Sequence, residues 1–123
     1  VSGYKGVITQ GLYAMALGGA VYCDSAPATA QSFCDAYIAK YGKEPGVAGQ
    51  LGYLNADMLV AGLQRAGRDL TVDSLVSGLE SIKDHQDPFG SVSQSYSADN
   101  HLGTPSLVLS QVQDGRWVVL STH

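Results

Sequence analysis

An α/β chain, three helices followed by a C-terminal β-hairpin, is what this sequence predicts. Apolar residues recur at three- and four-residue spacing from Phe33 to Ile82, and Gly42 and Gly67 interrupt the pattern where helices should stop. Beyond Pro88-Phe89-Gly90 the period falls to near two, the alternation of half-buried strands. Asp114-Gly115 then separates two apolar runs, which is the signal of a tight hairpin turn whose residues take positive φ.

In chain order, the β-branched Val7 to Gln10, bounded by glycines, predicts a short strand. Leu12 to Tyr22 supports either an extended buried run or a turn of helix, since periodicity does not separate the two there. Ser25 is placed to cap a first helix over about Ala26 to Tyr41, with Pro27 early enough to need no N–H partner. Phe33, Tyr37 and Tyr41 form its apolar stripe, and Gly42 is its C-cap. After the turn Lys43-Glu44-Pro45-Gly46, the stripe Leu51, Leu54, Met58, Leu59 and Leu63 predicts a long second helix, largely buried on one face and ending at Ala66. Thr71 caps a third helix with Asp73 in its positive first turn and Leu75, Leu79 and Ile82 on one side. Strands are expected at Val92 to Tyr96, Leu107 to Gln113 and Arg116 to Ser121.

At 123 residues and 12.9 kDa the chain has the size of one compact domain, able to bury roughly 65–70% of its unfolded surface. Its formal charge is -4, and its seven Lys and Arg are scattered, so no nucleic-acid partner is expected. The longest apolar stretch, Leu12 to Cys23, is interrupted by Gly18 and Gly19 and is shorter than the roughly 20 residues that span a bilayer, so no membrane insertion is expected. No basic segment followed by an apolar one opens the sequence, so a secretory signal is expected to be absent or already removed. Cys23 and Cys34 are either a disulfide or two small buried thiols. A bridge over so short a loop would stabilise by about 3 kcal/mol.

Catalytic chemistry is thinly represented. His123 is terminal and expected to fray, His85 lies in a polar, solvated KDHQDP loop, and His101 reads as a turn residue with local hydrogen bonds. No His-x-x-x-His, Cys-x-x-Cys or Glu-x-x-His spacing supplies a metal site, and neither a Gly-x-Ser-x-Gly elbow nor a phosphate loop is present. The expectation is a protein that is not an enzyme and has no cofactor and no metal. Seven tyrosines against two phenylalanines and one tryptophan suit a pocket lined by rings with a polar tip. Tyr37 and Tyr41 belong to the core stripe, which leaves Tyr4, Tyr13 and Tyr22 as the pocket candidates.

Three groups of residues carry a family resemblance. Phe33-x-x-x-Tyr37-x-x-x-Tyr41-Gly42-Lys43-Glu44-Pro45 is the first, and Gly52-Tyr53 with Leu63-x-x-Ala66-Gly67 the second. Leu70-Thr71 through Leu79-Glu80-Ser81, followed by Asp114-Gly115-Arg116-Trp117-Val118, is the third. In this order they resemble the C-terminal part of the periplasmic substrate-binding proteins of ABC transporters, in the branch that binds branched-chain amino acids, amides and aromatic acids. The resemblance implies a fragment of the two-lobed type I periplasmic-binding-protein fold, with residues 1–123 as a single compact unit of it. It implies a periplasmic or extracellular location, which favours the Cys23–Cys34 bridge. It also implies an ABC transporter permease as partner and a small organic ligand held through the remainder of the cleft, so that the chain by itself is expected to bind little or no ligand.

In the family, a segment ahead of the Gly-Val strand often offers an acidic or aromatic side chain to the ligand's amino group. Tyr4 and Lys5 occupy that stretch here, and with Tyr13 they are the expected ligand-binding residues. Lys5 departs from the acid, and a cation there favours a carboxylate or a neutral amide over an ammonium group. Helix faces and strand edges without their usual covers imply a possible homo-oligomer of the fragment. The rival readings are a ligand-sensing receptor domain of the same fold and a free-standing oligomeric interaction domain.

Overall fold

A computed structural model of the protein describes residues 9–123. The element order is β1 (Tyr13–Ala16), α1 (Ala28–Tyr41), α2 (Val47–Ala66), α3 (Val72–Glu80), β2 (Val108–Gln113) and β3 (Arg116–Thr122). Of the strand expected at Val7 to Gln10, Val7 and Ile8 lie outside the described residues. Thr9 opens a turn instead, its carbonyl accepting from the Leu12 N–H at 3.1 Å. The open choice over Leu12 to Tyr22 resolves to β1, extended but exposed, followed by an irregular stretch.

Helix α1 begins two residues later than expected, with Pro27 rather than Ser25 at its N-cap position. The Ser25 hydroxyl is diverted to Asp24 Oδ1 at 3.1 Å, so it caps nothing. Gly42, at φ 65°, ends the helix with its N–H on the Ile38 carbonyl at 2.8 Å, the left-handed exit that glycine makes without steric cost. Helix α2 begins directly after Gly46, four residues ahead of the stripe, and Gly67 ends it at φ 79°. Thr71 caps α3 as expected. Its Oγ1 accepts from the Ser74 N–H at 3.0 Å while the Ser74 hydroxyl accepts from the Thr71 N–H at 2.9 Å, so two donors of the first turn are satisfied reciprocally.

The strands form an antiparallel sheet in the order β1-β2-β3. Asp114 and Gly115 both have positive φ, 51° and 78°, as a two-residue turn matched to strand twist requires. An irregularity between Leu109 and Ser110 shifts the register against β3. Along β2, Val108, Ser110 and Val112 are buried and alternate with half-buried neighbours. The strand expected at Val92 to Tyr96 is absent. Backbone groups there divide among four partners, Val92 with Leu17, Gln94 with His85, Ser95 with Gly103 and Tyr96 with Ile82, so no continuous ladder forms.

The core is smaller than the length suggested. Ile82, Val112 and Cys34 are the largest fully buried side chains, with Ala30, Ala61, Phe89 and Val108 around them. The main pairings of elements are α2 with α3, β2 with β3 and β1 with β2, so α2 packs on α3 and the strands on one another. Helix α2 is therefore not largely buried along its stripe: Leu51 and Leu59 are about half exposed, and the positions it buries are Gln50, Ala61 and Gly62. Tyr41, expected in a core stripe, is exposed and stacks on Tyr37.

The histidines are better tied than the sequence suggests. His85 is not a solvated loop residue: its Nε2 lies 2.7 Å from Asp57 Oδ2 on α2. His101 reaches Glu80 of α3 at 2.9 Å, a long-range rather than a local partner. His123 is not frayed, since its backbone N–H and C=O both pair with Leu107. Among the described residues no helix is long and apolar enough to cross a membrane.

Candidate functional site

Where the segment Ala16–Ala20, the first half of α2 and residues 89–102 meet, they enclose a cleft of about 260 Å³. The helix presents Val47, Leu51, Leu54 and Met58 to it, positions four, three and four apart and hence on one face. Gln50, on the same face, holds the opposite wall in place. Its Oε1 accepts from the Val21 N–H at 3.2 Å and its Nε2 donates to the Val21 carbonyl at 2.6 Å, so a side-chain amide stands in for a strand neighbour. The wall is fixed on its other side by the Val92 N–H donating to the Leu17 carbonyl. At Gly18 an added Cβ would lie 2.4 Å from Ser91 Oγ and 3.0 Å from Ser91 Cβ, so a larger residue there has to displace the serine side chain.

Phe89 closes one end of the cleft. Its ring packs edge-on against Phe33 at 5.1 Å and Tyr53 at 5.6 Å, the end of an aromatic series that runs back through Tyr37 to Tyr41. Asp87 fixes the turn beneath it, Oδ1 accepting from the Phe89 N–H at 2.7 Å and the Ser91 N–H at 3.4 Å. Asp87 Oδ2 is buried with no partner among the described residues.

The polar wall is made by Asn55, Gln94 and Tyr96. The Tyr96 hydroxyl donates to Gln94 Oε1 at 2.7 Å, leaving the Gln94 Nε2 hydrogens as that side chain's remaining polar face. Gln94 exchanges both backbone hydrogen bonds with His85, and His85 is held to α2 by Asp57, so the amide is positioned by a relay of three residues. Among the described residues lining the cleft, none carries a charged side chain. A second, shallower hollow of about 410 Å³ shares Gly19 and Ser91 with it and is lined by the hydroxyl residues Ser93, Thr104, Ser106 and Thr122.

Of the residues expected from the sequence, Tyr4 and Lys5 lie outside the described residues. Tyr13 is 58% exposed on β1 opposite Gln111 and lines neither hollow. The Tyr22 hydroxyl accepts from the Trp117 N–H at 2.8 Å, and its ring lies under the Arg116 guanidinium at 4.7 Å, so it joins the disulfide loop to the hairpin rather than lining the cleft. Cys23 and Cys34 are bonded to each other, linking that loop to α1. Gln50, Asn55, Gln94 and Tyr96 escaped sequence reasoning. The available signal was two amides, Gln50 and Asn55, on an otherwise apolar helix face, where a polar side chain must find partners.

The two histidine–carboxylate pairs, His85–Asp57 and His101–Glu80, have no hydroxyl or thiol hydrogen-bonded to the ring among the described residues. No group of three or more His, Cys, Asp or Glu is close enough to hold a metal ion among the described residues.

A family model described as periplasmic binding protein matches residues 1–116. Among solved structures, a leucine binding protein from Thermotoga maritima is 22% identical and superposes with a TM-score of 0.63 over 93% of this chain and 31% of its own. A solute binding protein of an ABC transporter from R. palustris, solved in complex with benzoate, is 22% identical, with a TM-score of 0.66 over 93% of this chain and 30% of its own. A fatty acid ABC transporter substrate-binding protein from Thermomonospora curvata is 21% identical, with a TM-score of 0.69 over 88% of this chain and 28% of its own. Likeness at this identity shows the fold: three helices and a small antiparallel sheet that match part of a two-lobed architecture. The chain thus spans less than a third of the length of these proteins. No curated protein matches the sequence.

Proposed function

The chain belongs to the periplasmic binding protein family, and on that premise we propose that it serves in the solute-binding component of an ABC importer. In this reading it helps capture a small organic ligand, an amino acid, amide or aromatic acid, by enclosing it without chemistry. A location in the periplasm and a permease as partner follow from the same family membership. The carrying observation is the cleft, in which an apolar helix face meets amide and phenol groups that converge from a separate loop. Such a combination of apolar wall and few oriented polar groups is what small-molecule sites share. The solved relatives that bind leucine, benzoate and fatty acid support a solute-binding role without selecting among those ligands.

The ligand would also contact the remainder of a two-lobed protein, so binding by the chain itself is weak. At a ligand concentration equal to Kd the native state gains only about 0.4 kcal/mol, too little for a decisive change in melting temperature. Residue-resolved NMR is therefore the test. Leucine, benzoate and a carboxamide at millimolar concentration are expected to include at least one that shifts the α2 and Gln94 resonances saturably. If all three leave those resonances unmoved, the reading is wrong. Exposed apolar side chains on β1 and α2 also support the self-association proposed for a fragment of this kind, which light scattering at rising concentration tests.

A further inference from the structure

We infer that the cleft selects an uncharged ligand, one with an apolar body about the size of a single ring or branched alkyl group and one neutral hydrogen-bonding head, and that it discriminates against free carboxylates and zwitterions. This rests on the solute-binding reading and narrows it to one chemical class.

Three observations carry it. The cleft, at about 260 Å³, lies just below the roughly 300–1,000 Å³ of sites for drug-sized molecules, so it suits a small occupant. Its apolar surface, from Leu17, Leu51, Leu54, Met58, Phe89 and Leu102, offers no compensation to an ion. An ionised carboxylate that enters must give up hydration without meeting a cation among the described lining residues, whereas a carbonyl or hydroxyl gives up far less.

The polar groups point the same way. Gln50 is committed to Val21 on both sides of its amide. Gln94 has its oxygen engaged by the Tyr96 hydroxyl, so what it presents is an N–H donor, neutral and fixed in direction. Asn55 adds a second side-chain amide to the same wall, also neutral. Neutral donors satisfy a carbonyl oxygen, while a carboxylate also has a full charge to place. The carboxyl group beside the cleft, Asp87, adds no positive charge and is already bound to the Phe89 and Ser91 amides.

The experiment compares isosteres that differ in charge. The 123-residue chain, labelled with nitrogen-15, is titrated at neutral pH with benzamide, benzoate and leucine, and Kd is read from the backbone and side-chain amide resonances of Gln50, Asn55 and Gln94. Benzamide is expected to bind at least about tenfold more tightly than benzoate or leucine, the ratio equivalent to roughly 1.4 kcal/mol. Leu51→Lys, at a half-exposed position on the cleft wall, is expected to remain folded by circular dichroism and to reverse the order in favour of benzoate. Gln94→Leu should weaken benzamide about fivefold. Benzoate or leucine binding the unaltered cleft as tightly as benzamide overturns the inference and leaves the solute-binding reading standing. Silence toward all three solutes overturns both, and an unchanged preference in a folded Leu51→Lys variant overturns the charge argument.

Discussion

Gln50 holds Val21 by both of that residue's backbone polar groups: its carboxamide accepts from the Val21 N–H at 3.2 Å and donates to the Val21 carbonyl at 2.6 Å. The glutamine is buried and Val21 half-buried, so neither group can fall back fully on water. Gln50→Ala is expected to leave two backbone groups unpaired and to cost about 1–3 kcal/mol, measured as a lower urea midpoint with an unchanged slope. The NMR resonances of residues 16–22 should broaden or move in the same variant. If they stay in place, Gln50 is not what positions that wall of the cleft.

Asp24 and Arg116 form a bidentate pair, with Nη1 to Oδ1 at 2.8 Å and Nη2 to Oδ2 at 2.5 Å. The Arg116 hydrogen bonds, and then that of Ser25, hold the Asp24 carboxyl below its ordinary 3.8. A carboxyl with a lowered folded-state pKa contributes stability that is present above its unfolded value and lost as pH falls through the folded one. The pair's contribution should therefore disappear only below pH 3.8. Both side chains are about half exposed, so the effect is modest and screened by salt. Asp24→Asn is expected to flatten the fall in melting temperature on acidification in that window, and an identical acid slope in the variant rules the pair out as its source.

The Cys23–Cys34 bond closes a loop of sequence separation 11. Unfolded without reductant, the chain should show no titratable thiol, and two reactive thiols would contradict the pairing. A double Cys23→Ala, Cys34→Ala variant is expected to lose about 3 kcal/mol on the loop-entropy argument. Because Tyr22 and Asp24 flank Cys23 and both contact the hairpin, the tryptophan fluorescence of Trp117 should also change in that variant.

Helices α2 and α3 meet over two glycines. A Cβ on Gly78 would stand 2.6 Å from the Gly62 carbonyl and 3.0 Å from the Ala66 nitrogen, both backbone atoms that cannot rotate away. Gly78→Ala is therefore expected to destabilise by about 1–3 kcal/mol despite alanine's better helix propensity. Gly52, also in α2, has nothing within 4 Å of the same added atom. There Gly→Ala should stabilise by about 0.5–1 kcal/mol. Equal effects at the two positions in chemical denaturation would mean that the helices do not cross this closely.

The features legible in the residues alone are local ones. Thr71 as a cap, Gly42 and Gly67 as helix ends and Asp114-Gly115 as a hairpin turn each depend on a few adjacent residues, and each stands where the pattern put it. Contacts between distant segments set the rest. Ser25 lost its capping role because Asp24 offered a competing partner, and Val92 to Tyr96 lost its strand because its backbone groups were claimed by Leu17, Ile82, His85 and Gly103. The period of apolar residues says which side of a helix is greasy but not whether another element covers it, and for Leu51 and Leu59 none does. The cleft was hidden for the same reason. Gln50 with Val21, Asn55 with Gln94 and Tyr96, and Gly18 with Ser91 are neighbours only after folding, because the contacts that join them span the helices rather than lie within them.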